Sequence, residues 1–239
     1  MNRITDIDES RRRFLLYLLS TGAFAALPGC ANLPAVHQAM DVPEEMPEGM
    51  SIFQYMGAIT VNGKPADLDT RINPGDTVET GEGGQLIFVV HKDAFLMRSN
   101  STMRIPTKAV GGTYDIDRGK ALSVFASRQT QIRTPTAIIA IRGTGVYVES
   151  EPDRSYVCTC YGVANLAPAD DPSTNLTVTS KHHDDPRYIL ADKNAANRIQ
   201  PAPFKNHDDQ ELLLIETLVG RSTPYVVPAG IPRTRGGYI

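Results

Sequence analysis

Between Gln54 and about Leu190 the apolar residues fall in short runs, and the residues separating them are those that turn a chain. Tyr55 to Val61 ends at Asn62-Gly63, a dipeptide suited to a tight hairpin turn that needs positive φ. Pro74-Gly75-Asp76 marks another turn before Thr77-Val78-Glu79-Thr80. The run Gln85 to Val90 is almost continuously apolar, as suits a strand covered on both faces. Ala94–Arg98, Thr102–Ile105, Thr113–Asp117 and Ala121–Phe125 read as further short strands, as do Thr130–Arg133, Thr136–Ile141, Val146–Glu149 and Tyr156–Tyr161. Turns recur at intervals of about 8–12 residues, the spacing of an all-β solenoid or sandwich.

Helical periodicity is confined to the end of the chain. Asp208 and Glu211 have capping-box spacing before the largely apolar stretch Leu212–Val219, broken only by Glu216 and Thr217, and Gly220 is a natural stop. The pattern therefore predicts an all-β body, residues 51–200, followed by a helical segment, 201–220, that caps the open end of the β core. The last stretch, 221–239, is rich in Pro and Gly and is read as a tail.

The amino-terminal end follows a different rule. Ser10-Arg11-Arg12-Arg13-Phe14-Leu15 opens a stretch from Phe14 to Leu27 with no charged residue, which runs into Leu27-Pro28-Gly29-Cys30. A charged head, an apolar stretch too short for an ordinary spanning helix and small residues at its end make an export signal, residues 1–29. Arg11-Arg12 resembles the twin-arginine signal that carries folded proteins. Leu27 to Cys30 resembles the lipobox of bacterial lipoproteins, in which the cysteine is acylated and becomes the first mature residue. Cys30 would then attach the chain to a membrane, with about 0.8 kcal/mol of affinity per buried CH₂ of the lipid. Residues 30–50, where Pro43 and Pro47 alternate with acidic residues, read as a tether. The expected location is the cell envelope on its periplasmic side.

Composition narrows the possible roles. A net charge of −3 offers no basic field for nucleic acid. Arg128, Arg133 and Arg142 lie near strands and could meet an anionic ligand, although a solvated strand face is the simpler reading. The chain carries no G-x-S-x-G, no G-x-x-x-x-G-K-[ST] and no H-E-x-x-H, and Gly143-Thr144-Gly145 lacks the third glycine of a dinucleotide fingerprint. A non-catalytic protein is expected.

Three cysteines remain to be explained, and Cys30 accounts for one. Cys158-Thr159-Cys160 lies in a strand-like run, so both thiols should share one face, with Cα atoms about 6.5 Å apart, at the outer limit for a disulfide. His182-His183-Asp184-Asp185 follows. If that loop folds back, Cys158 and Cys160 with His182 or His183 make a zinc or copper site. A short-loop disulfide, two small buried apolar residues and a solvated histidine loop stand beside that reading.

The order of several pieces resembles the FecR domain. They are Gly57 to Val61 with Asn62-Gly63; Pro74-Gly75-Asp76 with Val78, Thr80 and Gly81; Asn100-Ser101; Gly119 with Leu122, Val124 and Phe125; Arg133-Thr134-Pro135-Thr136; and Arg142-Gly143-Thr144-Gly145 with Tyr147-Val148. The resemblance runs from about Gly57 to Leu166. It implies a periplasmic, all-β, solenoid-like domain that senses or binds, and an envelope protein as partner. FecR regulators also carry a cytoplasmic segment that holds a sigma factor and then a transmembrane helix; neither is read in this sequence, so iron regulation does not follow.

Overall fold

The computed structural model describes residues 45–108, 111–126 and 129–227. Arg11, Arg12, Cys30 and Arg128 lie outside the described residues, as does most of the tail. Fourteen strands belong to one hydrogen-bonded sheet. In chain order they are β1 Ile52–Met56, β2 Ile59–Val61, β3 Lys64–Pro65, β4 Thr77–Thr80, β5 Gln85–Val90, β6 Asp93–Met97 and β7 Thr102–Arg104. Then follow β8 Thr113–Val124, β9 Thr130–Arg133, β10 Ala137–Ser150, β11 Arg154–Pro168, β12 Leu176–Ser180, β13 Arg187–Leu190 and β14 Ile199–Pro201. The one helix among the described residues, α1, spans Asp209–Thr217. The fold is all-β with a single C-terminal helix, as the pattern predicts.

The main path through the sheet runs β14-β13-β11-β10-β9-β8-β7-β4-β2-β3, with β1, β5 and β6 joined to it through β8, and β12 beside β11. Pairing is antiparallel except between β8 and β9, where Tyr114 lies opposite Ile132. The Asn62-Gly63 turn joins β2 and β3 with φ of 52° and 72°, both positive.

Three strands are longer than the sequence pattern suggests, because glycines that look like breaks are bends inside a strand. Gly119 sits within β8 at φ +90°, and a Cβ there would lie 2.2 Å from Ser101 Oγ. Backbone and neighbour both require glycine at this place. Ser101 Oγ in turn accepts from Lys120 N–H at 2.9 Å. Likewise β10 passes through Arg142–Gly145 with shifts of register against β11. These bulges let β8 and β10 change partners along their length: the first part of β8 pairs with β7 and β9, the last part with β6 and β10.

Alternation sends side chains to two buried faces. One apolar cluster takes residues from every strand except β3, among them Leu86, Phe88, Phe95, Met97, Ile139, Val148 and Val157. A sheet in which every strand but β3 contributes to one cluster curls around it. The other face carries Ile87, Leu96, Leu122, Tyr147, Tyr156, Cys158 and Cys160, and is covered by Leu212, Leu214, Ile215, Leu218 and Val219 of the helical segment. The helix thus lies over a sheet face, and not over the open end of the β core expected from the sequence. Residues 45–50, read as part of the tether, are docked there too: Met46 packs on this cluster and its N–H donates to the Leu218 carbonyl at 3.0 Å.

The helix start matches the pattern in detail. Asp208 accepts from the N–H groups of Gln210 and Glu211 at 3.0 and 2.9 Å, and its own N–H donates to Glu211 at 3.3 Å. Glu211 also takes the Arg98 guanidinium at 2.7 Å, in a nearly buried ion pair that anchors the first turn to the end of β6. Gly220 follows the helix at φ +70°.

Candidate functional site

Strand β11 supplies the first two groups. Cys158 and Cys160 both point to the face covered by α1, both are 0% exposed, and they are free thiols. The shared face is what a strand period of two dictates, and no disulfide forms. The loop between β12 and β13 folds back over them, as its His183 N–H donates to the Cys160 carbonyl at 2.9 Å. This contact brings His183 Nδ1 to 3.5 Å from Cys158 Sγ. His182 does not enter the cluster. Its ring stays partly exposed and its Nε2 reaches Asp209 Oδ1 at 2.8 Å.

The fourth group is one the sequence reading missed. His207 directly precedes the helix cap, is 6% exposed, and brings Nε2 to 3.1 Å from His183 Nδ1. Candidate donor atoms of Cys158, Cys160, His183 and His207 all lie within 4.8 Å of one another. The available signal was no more than a histidine next to a capping box.

Each imidazole is held by its other nitrogen. His207 Nδ1 lies 2.8 Å from the Lys205 carbonyl, which can only accept, so Nδ1 carries the proton and Nε2 presents its lone pair. His183 Nε2 lies 3.0 Å from Asp209 Oδ1, so Nε2 carries a proton and Nδ1 faces the thiols. Tyr225 donates to the same carboxylate oxygen at 3.3 Å. The rings are fixed from the side as well. His207 stacks on Tyr147 at 4.4 Å between centroids and 20° between planes, and Phe204 packs on both His183 and His207.

Beside this cluster lies a buried carboxylate. Glu149 accepts from Tyr147 at 2.8 Å, from Asn206 at 2.7 Å and from Lys205 at 2.7 Å, which straps residues 205–206 to β10. Gly145 leaves room for the covering layer, because a Cβ there would come within 2.9 Å of Leu212 Cδ1.

Without a cation the cluster is a thiolate–imidazolium assembly. Burial disfavours the Cys158 thiolate, but hydrogen bonding by the Cys160 thiol and the facing imidazoles outweigh it and hold Cys158 well below the usual thiol range. Cys160, buried beside that thiolate, is pushed well above it. Burial acts against charge on His183 too, yet Asp209 and Cys158 raise it to about 9. Asp209 resists its burial through bonds from His183 and His182 and stays below the ordinary carboxylate range.

Of the arginines considered for anion binding, Arg133 and Arg142 lie among the described residues. Arg133 pairs with Asp115 at 2.7 Å on an exposed surface, and Arg142 is exposed on β10.

No family model matches the chain, and no curated protein shows a significant match. Among solved structures, two crystal structures of a "putative anti-sigma factor" from Parabacteroides distasonis ATCC 8503 are similar. One is 14% identical at TM-score 0.44 and the other 15% identical at TM-score 0.43; each alignment covers 57% of this chain and 62% of that chain. The match thus spans about three fifths of the length of those chains.

Proposed function

We propose that this chain is an exported, lipid-anchored, non-catalytic module of FecR type that works in the cell envelope by binding a protein partner. The observation that carries the non-catalytic reading is burial. The described residues bring nucleophile and base together at Cys158, Cys160, His183 and His207, where both sulfurs are 0% exposed and roofed by α1 and Phe204. A covalent catalyst must admit its substrate to the sulfur, and the burial of both sulfurs supports the non-catalytic reading. The glycines of the FecR-like segments take up structural places, as Gly119 does against Ser101.

Binding has surfaces available. Among the described residues strand β12 pairs with β11 alone, so its outer edge offers main-chain groups to a partner strand. Charged head, apolar stretch and Cys30 support delivery to the envelope and attachment there.

Metabolic labelling with a radioactive fatty acid tests the anchor. The wild-type chain should carry label and sediment with membranes. Cys30→Ala should lose the label, and Arg11→Lys with Arg12→Lys should leave precursor inside the cell. A native product that is unlabelled, water-soluble and cytosolic overturns the reading. For the partner, a photocrosslinker at Thr177 on β12 should give one discrete envelope adduct that Cys30→Ala, displaced from the membrane, does not form.

A further inference from the structure

We propose that Cys158 Sγ, Cys160 Sγ, His183 Nδ1 and His207 Nε2 form a closed four-donor site for one Zn²⁺ ion, which clamps the C-terminal segment to the sheet. This deepens the non-catalytic reading above by assigning the buried cluster a structural task. It stands or falls separately from lipid attachment.

Geometry carries the inference. Around a tetrahedral ion with Zn–S about 2.3 Å and Zn–N about 2.0–2.1 Å, neighbouring S and N ligands are about 3.5 Å apart and two N ligands about 3.3–3.4 Å apart. The observed separations are 3.5 Å from Cys158 Sγ to His183 Nδ1 and 3.1 Å from His183 Nδ1 to His207 Nε2. Two imidazole nitrogens that both aim lone pairs at one point repel each other unless a cation or a proton lies between them. Here each ring is locked in that orientation, His183 by Asp209 and His207 by the Lys205 carbonyl, so the place held by the His183 Nδ1 proton in the metal-free cluster is the one a cation takes when that proton leaves. A carboxylate or carbonyl on the far nitrogen is the outer-shell arrangement that orients a metal-binding histidine.

Charge and donor type select the ion. Two thiolates offset the two positive charges of Zn²⁺, so the complex is neutral where the protein is buried. Four protein donors leave no open position, as in structural zinc sites and unlike catalytic ones. Copper(II) favours a trigonal His₂Cys set with a weak axial ligand, and a second full thiolate does not fit it. On binding, the protons that the metal-free cluster keeps on its thiol and imidazole groups pass to solvent, and no oxidation occurs.

The site joins three segments distant in sequence: β11, the β12–β13 loop and the residue before the α1 cap. The ion therefore fastens the helix, and the sheet face beneath it, to the body.

The test uses the full chain without a histidine tag, purified in detergent from whole cells, stripped with a chelator under reducing conditions and titrated with Zn²⁺. Binding should saturate at about one equivalent per chain, and Co²⁺ should give the strong visible absorption of a tetrahedral thiolate site. Cys158→Ser, Cys160→Ser and His207→Ala should each fall below about a tenth of an equivalent, while His182→Ala should keep full stoichiometry. Asp209→Asn should weaken binding about 10–100-fold. Because His207→Ala could simply misfold, His207→Cys serves as a second variant. It should retain one equivalent and add thiolate-to-cobalt charge-transfer absorption. Wild-type protein that takes up no stoichiometric metal while both thiols titrate freely overturns the proposal. So does His207→Ala binding as tightly as wild type.

Discussion

The two buried faces of the sheet are held by different kinds of force. The inner face is nearly all aliphatic and phenylalanine, with Phe95 touching Phe88, Tyr114 and Phe125 at centroid distances of 4.9, 5.0 and 5.7 Å. The outer face sets Tyr147, Tyr156, Cys158 and Cys160 against a layer brought from residues 202–225. Burial on the inner face is non-directional, so any apolar residue of similar volume serves. On the outer face Glu149, Asp209, His183 and His207 each require a named partner at a set distance. An unmet polar group there costs more than a lost methylene. The first face defines the body, and the second decides whether the C-terminal segment stays on it.

Phe95→Ala separates the two most strongly. It removes a fully buried ring and should cost about 3–5 kcal/mol in urea unfolding, with zinc stoichiometry unchanged at one. Metal removal should come next. At free zinc about a thousandfold above its Kd the ion adds about 4 kcal/mol to stability, which chelation abolishes in wild type and which Cys158→Ser lacks from the outset. If Phe95→Ala also abolished metal binding, the two faces would be one cooperative unit and the contrast would fail.

The two faces were unequally legible in the sequence. Turn dipeptides and apolar runs give most strands of the inner core, and Asp208 with Glu211 gives the helix start. Gly119 and Gly143 read as breaks because glycine weakens a strand pattern, whereas here strands run through them by bulging. The thiols of Cys158 and Cys160 share a face because the strand period is local. His183 was readable only as one of a pair, since choosing it over His182 depends on how the loop folds back. His207 was marked by no more than its place next to the capping box, and Asp209 was not readable as a site residue at all. Their role comes from where the helix docks, and docking is a tertiary event with no local signature.

Glu149→Gln should have a smaller effect, about 2–3 kcal/mol, by turning an amide N–H₂ toward the donors of Lys205 or of Asn206 and Tyr147. Burial pulls Glu149 upward, but bonds from Asn206, Lys205 and Tyr147 leave it below its ordinary value. A depressed carboxylate stabilises the fold above its unfolded pKa of about 4.3 and loses that contribution as pH falls through the folded value. The difference between wild type and variant should therefore be constant near neutrality and narrow below about pH 4. A difference that widened in acid would mean that Glu149 is protonated in the native protein.

The smallest effect is expected at the helix cap, where it discriminates most finely. Asp208→Ala leaves the N–H groups of Gln210 and Glu211 without their acceptor and should cost about 1 kcal/mol, or about 2–4 °C in Tm for a body of this size. The neighbouring His207 is held by its stack on Tyr147, by Phe204 and by the Lys205 carbonyl, all independent of the cap. Zinc stoichiometry should therefore stay at one in Asp208→Ala. Should the variant lose its metal along with its cap, the histidine would be positioned by the helix alone. The strap of residues 205–206 on Glu149 would then follow the fold of α1.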